Sequence, residues 1–121
     1  MSRTIRISIE GRKFEASLNS NQTVDDLLKM LPLELTLQRY AGHEYFGKLP
    51  QKPSVKGVEM TSYAHAAGIY YYDGWAAFTV LYGDADITPY KVVHLGDLDD
   101  EVILFLKNSD ALVAAKVEVV D

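Results

Sequence analysis

Arg39 is the only arginine after Arg12, and Tyr40, His43 and Glu44 follow it within five residues. A guanidinium grips carboxylates and phosphates with two parallel hydrogen bonds, so Arg39 is a candidate ligand contact. Its ordinary alternative is an exposed pair with a carboxylate such as Glu44. Ala41-Gly42 lets the backbone turn and release Arg39, His43 and Glu44 toward solvent. Arg39 with His43 favours an anionic ligand group, whereas Glu44 accepts hydrogen bonds or neutralises Arg39. The aromatic material lies further on. Of eight tyrosines, Tyr70, Tyr71 and Tyr72 are consecutive and precede Trp75. Strand side chains alternate, so Tyr70 and Tyr72 share one face while Tyr71 joins Ile69 on the other. Rings with hydroxyl tips either cover core edges, their hydroxyls in water, or line a cleft with a few convergent polar groups. A cleft is expected where Arg39 to Tyr45 meets the hairpin Ile69 to Tyr82, with Tyr40, Tyr72 and Trp75 in its walls.

Other chemistries find less support. His43, His65 and His94 show no i,i+2 or i,i+4 spacing that brings two ligands to one metal, so neither a metal nor any other cofactor is expected. His94 alternates with Val93 and Leu95 and projects from the opposite face to both. No GxSxG elbow marks a serine nucleophile. The absence of cysteine removes disulfides, thiolate ligands and thiol nucleophiles together.

These residues need elements to hold them. Ile5, Ile7 and Ile9 alternate with Arg6 and Ser8, Glu10-Gly11 makes a tight turn, and Phe14, Ala16 and Leu18 complete a hairpin over residues 5 to 18. Asn19 to Asn21 are turn and capping residues. Thr23 with Asp26 approximates a capping box, and Val24, Leu27, Leu28 and Leu31 form an apolar stripe at helical spacing. The helix, residues 23 to 31, is expected to close one barrel end, and Pro32 stops it. Leu33, Leu35 and Leu37 then return to period two and face a core. Lys48 to Lys56 carries two prolines and three lysines and reads as an exposed loop. Strands follow over residues 69 to 72 and 75 to 82, joined by an Asp73-Gly74 turn, with another between Pro89 and Gly96. Asp99 and Asp100 start a short helix through Lys107, and Leu112 to Val120 closes the chain as a strand. Many short antiparallel strands with two short helices specify a mainly β barrel or sandwich.

Three segments choose between these: LPLELTLQRYAGHEYFGKLP from Leu31 to Pro50, GIYYYDGWAAFTVLYG from Gly68 to Gly83, and VVHLGDL from Val92 to Leu98. Their order resembles the bacterial and archaeal cyclophilin-like domain families, and the likeness runs from Ile5 to Val119. It implies a closed antiparallel β-barrel, for which most members have no assigned activity. Relatives often carry Gly-Asp at the entry to the YY strand. Ala67-Gly68-Ile69 stands here, so a site built on that acid does not carry over.

Cyclophilins proper isomerise prolyl bonds with a guanidinium beside the twisted amide and an aromatic pocket for the proline ring. Arg39 and a pocket of Trp75, Tyr72, Phe46 and Phe78 are the candidates for a divergent isomerase. The Phe-His-Arg and Gln-Gly-Gly-Asp signatures of true cyclophilins are absent, and Gln38-Arg39-Tyr40 is the nearest approach. The leading expectation is therefore binding of a small molecule or extended peptide without isomerase activity, by Arg39, Tyr40, His43, Glu44, Tyr72 and Trp75. A structural or protein-interaction module is the third reading.

The whole composition narrows the setting. At 121 residues the chain suits a single domain over 1–121, and a 48% hydrophobic content supplies one core. A formal charge of −5 with dispersed basic residues argues against nucleic acid. No apolar run approaches the ~20 residues of a membrane span, and Met1 to Glu10 alternates Arg with Ile, unlike a signal peptide. A cytoplasmic protein is expected, with its oligomeric state open.

Overall fold

The computed structural model describes residues 3–120. β1 (Arg3–Ile9) and β2 (Arg12–Leu18) form the expected hairpin, with Ile9 opposite Arg12. Glu10 and Gly11 bridge it with φ of 49° and 85°, the two positive values that a hairpin turn matched to strand twist requires. The alternation then decides burial: Ile5, Ile7, Ile9, Phe14 and Ala16 are buried in the barrel core.

α1 (Gln22–Met30) is capped by Asn21, whose side-chain oxygen accepts the Val24 N–H at 2.8 Å. Thr23 and Asp26 do not form the expected capping box. Thr23 is buried and donates to the Ser54 carbonyl at 2.7 Å, while Asp26 accepts the Ser54 N–H at 2.8 Å. Both side chains therefore pin the loop of residues 49 to 60 to the helix. Val24 and Leu27 reach the same buried cluster as the barrel interior.

After Pro32 come β3 (Leu33–Tyr40) and β4 (Glu44–Lys48), paired through Arg39 with Tyr45 and Tyr40 with Glu44. Leu37 is fully buried, and Leu33 and Leu35 are half-buried against the core. A short β5 (Tyr63–Ala64) precedes β6 (Gly68–Tyr72), which pairs with β7 (Ala77–Leu81). The Asp73-Gly74 turn expected between them is longer. A 3-10 turn over Asp73–Trp75 and a left-handed Ala76 make a four-residue loop, which shortens the second strand and frees Trp75 from the sheet. β8 (Ala85–Asp86) pairs only with β5.

β9 (Val93–Leu98), α2 (Glu101–Lys107) and β10 (Leu112–Val120) complete the chain. Eight antiparallel strands close in the order β1-β10-β3-β4-β7-β6-β9-β2, while β5 and β8 form a separate two-stranded sheet. Closure leaves the barrel no free edge. Val102 and Leu106 of α2 are buried in the same core. Among the described residues no helix is long and apolar enough to cross a membrane.

Candidate functional site

Strand alternation sorts the aromatic residues of the barrel wall. Ile69, Tyr71, Phe78 and Val80 face inward and are fully buried. Tyr70, Tyr72, Ala77, Thr79 and Leu81 line an external cleft of about 210 Å³ with Tyr40 and Glu44 from the neighbouring strands. Phe78 thus leaves the aromatic pocket assigned to it from sequence, because it packs inside the barrel. Phe46 stands behind the cleft, 5.5 Å from the Trp75 ring centroid and 5.8 Å from that of Tyr40.

Trp75 is the hub of the cleft. Tyr40 and Tyr72 meet it edge to face at centroid distances of 5.3 and 5.6 Å, the arrangement favoured by opposed ring quadrupoles. Tyr90 extends the wall from Tyr72 at 6.0 Å. The segment carrying Tyr90 is shaped by Asp86, whose carboxylate accepts both the N–H and the hydroxyl of Thr88 at 3.0 and 2.6 Å. Those bonds hold the Asp86 carboxyl below its ordinary pKa. Ile87, Tyr90 and Val92 are lining residues that sequence reasoning missed. The strand expected to begin after Pro89 starts only at Val93, so these residues fold over the sheet from an irregular segment to which only the turn residues around Pro89 pointed.

Four of the six expected site residues gather here: Tyr40, Glu44, Tyr72 and Trp75 line the cleft. His43 stands behind Glu44. Its Nε2 lies 3.1 Å from a Glu44 carboxylate oxygen, and its Nδ1 lies 3.1 Å from the Ala41 carbonyl. A carbonyl only accepts, so Nδ1 is the donor in the contact with Ala41, and Nε2 faces the Glu44 carboxyl group. Burial pushes the Glu44 carboxyl above its ordinary pKa, and His43 partly offsets that.

Arg39 is elsewhere. Alternation along β3 points it away from Tyr40, and its guanidinium donates to the Tyr45 hydroxyl at 2.8 Å and to the Leu106 and Ser109 carbonyls at 3.1 and 2.6 Å. The Tyr45 hydroxyl in turn donates to the Asp110 carbonyl at 2.7 Å. The expected Arg39 to Glu44 pair is replaced by a clamp between β3, β4 and the end of α2.

A second group of polar side chains stands on the far side of Tyr70. His94 stacks on the Tyr70 ring at 4.8 Å, and His65 and His94 both approach Asp97. Sequence spacing offered no reason to join them. Ile69 pairs with Gly96 and Tyr70 with His94, which leaves Leu95 as an extra residue on β9. The bulge restores the inward direction at Leu98 and turns Asp97 to the same side as His94, although residues three apart on a regular strand face opposite ways.

A cyclophilin-like family model matches residues 7–118, nearly the whole barrel. The chain belongs to the cyclophilin-like family. Among solved structures, this cyclophilin-like protein is similar to a hypothetical protein of Archaeoglobus fulgidus determined in solution. The TM-score is 0.68 at 16% identity, with 98% of this chain and 95% of that chain covered. Such identity establishes a shared fold. No curated protein matches the chain.

Proposed function

We propose that this cyclophilin-like protein binds a compact group of a small molecule or extended peptide in the Tyr40, Tyr72, Trp75 and Tyr90 cleft, without isomerising prolyl bonds. The observation carrying this reading is a concave aromatic face whose one carboxylate, Glu44, lies within reach of an occupant. A volume of about 210 Å³ lies below the roughly 300 Å³ at which drug-sized sites begin, so a side chain or similar fragment fits better than a large ligand. Ring faces attract cations and Glu44 accepts hydrogen bonds, so the preferred head group is an amine or another donor. This reverses the anionic preference that Arg39 suggested from sequence.

The engagement of Arg39 supports the absence of isomerase activity. Bonds to the Tyr45 hydroxyl and to two carbonyls at the end of α2 hold its guanidinium on the other side of β3, so none stands beside the cleft to stabilise a twisted amide. Trp75 is a natural reporter, being the only tryptophan. Fluorescence titration with alkylamines, matched carboxylates and prolyl peptides should show saturable change with the amines, weakened in Tyr72→Ala and Glu44→Gln. Equal response to carboxylates and amines, or no saturation with any, defeats the reading. In a protease-coupled prolyl assay the expected rate is background, and acceleration lost in Arg39→Ala establishes the isomerase instead.

Tyr40, Trp75 and Tyr90 are 45, 47 and 59% exposed, which also suits a protein-interaction surface. Gel filtration of the wild type and Trp75→Ala distinguishes that second reading by a change in oligomeric state.

A further inference from the structure

We propose that His65, His94 and Asp97 form a binding site for one divalent transition metal of the zinc class. The site is independent of an occupant in the aromatic cleft. The Nε2 atoms of His65 and His94 lie 3.1 and 3.0 Å from the same Asp97 oxygen, and all three ligand atoms fall within 4.8 Å of one another. Tetrahedral zinc with bonds of about 2.0 Å separates its ligand atoms by roughly 3.3 Å. Two of the three edges are already near that length, and the half-exposed side chains can close the third by small rotations.

The proton inventory points the same way. The Nδ1 of His65 lies 3.1 Å from the Ala66 carbonyl and must donate to it. A neutral His65 therefore aims its Nε2 lone pair at the Asp97 carboxylate, two acceptors facing each other. A cation bound by both groups removes that conflict. A metal needs this tautomer, with the remote nitrogen held by a carbonyl. The Tyr70 ring stacks on His94 and meets the His65 ring edge to face at 5.9 Å, and the Tyr70 hydroxyl accepts the His65 backbone N–H at 3.1 Å, so both histidines pack on one buried residue. Two imidazoles and one carboxylate form a mixed nitrogen and oxygen set that suits zinc, cobalt, nickel or iron(II) better than magnesium or calcium. Three protein ligands leave a fourth position for water.

The test is calorimetric titration of zinc into untagged, EDTA-stripped full-length protein. It is paired with imidazole NMR, and with cobalt absorption as a report of coordination geometry. The expected result is one equivalent bound, with the His65 and His94 resonances shifting while His43 stays in place. Asp97→Asn and His94→Ala should each weaken zinc on the order of 100-fold, at or above the loss usual for an outer-shell partner. Their metal-free melting curves check that both variants fold. No saturable binding, affinity indifferent to both substitutions, or shifts centred on His43 overturns the site and leaves an imidazolium ion pair in its place.

Discussion

Arg39 and Tyr72 separate stability from the proposed recognition at the scale of single residues. Arg39→Ala removes charge-assisted bonds to the Tyr45 hydroxyl and to the carbonyls of Leu106 and Ser109. Urea denaturation should show a loss of about 1.5–3 kcal/mol, with amine binding in the cleft unchanged. Tyr72→Ala should act in the opposite manner, reducing binding more than stability, because its ring is only half-buried on the outer face. Glu44 supplies a pH signature. Burial raises its native pKa, so the protonated carboxyl favours the fold. That contribution is complete below the ordinary glutamate range and is lost as pH rises through the elevated native value. Glu44→Gln should therefore be more stable than the wild type near neutrality and lose that advantage in acid. A wild-type advantage that grows toward neutral pH in paired denaturation curves would rule this out.

Caps, turns and bulges set the elements. Asn21→Ala deletes the α1 cap and should cost about 1 kcal/mol, whereas the same change at exposed Asn108 should cost less. Leu37 and Leu35 are spaced alike, yet only Leu37 is fully buried. Leu37→Ala should cost about 2–5 kcal/mol and Leu35→Ala clearly less in the same denaturation series. Gly96 matters more than its lack of a side chain suggests. A Cβ there would lie 2.3 Å from the Ser17 carbonyl oxygen and 3.0 Å from the Leu18 Cα, so β2 and β9 must separate to admit it. Gly96→Ala should destabilise by about 1–3 kcal/mol and disturb the bulge that turns Asp97 toward His94. Loss of zinc affinity beyond that expected from the melting shift is its second readout.

At the scale of the whole molecule, a closed barrel holds attached parts of unequal firmness. The β5–β8 sheet has two residues per strand and lies outside the barrel, so its amides should exchange before those of β1 and β10. The loop of residues 49 to 60 is anchored through Asp26, whose pKa is lowered chiefly by the Ser54 N–H and further by Gln22. A depressed carboxylate stabilises above its ordinary range and ceases to do so as pH falls through the native value. Acid should therefore loosen this loop, seen as faster exchange at Ser54, while the neighbouring barrel strands keep their protection.

The local chemistry of the chain determined most of the barrel. Period-two runs at Ile5 to Leu18 and Leu33 to Leu37, the helical stripe of α1 and the stop at Pro32 each act within a few residues, so the one-dimensional pattern carries them. The facing of Tyr70 and Tyr72 away from Tyr71 is local in the same sense. Tertiary structure decided what distant segments share. It set Arg39 against Tyr45 and the end of α2, brought Tyr90 over Tyr72, and gathered His65 with His94 and Asp97. Those meetings depend on barrel closure, on a four-residue loop in place of a two-residue turn and on one extra residue in β9. A single inserted residue reverses which side chains share a face, and no period within a strand records it.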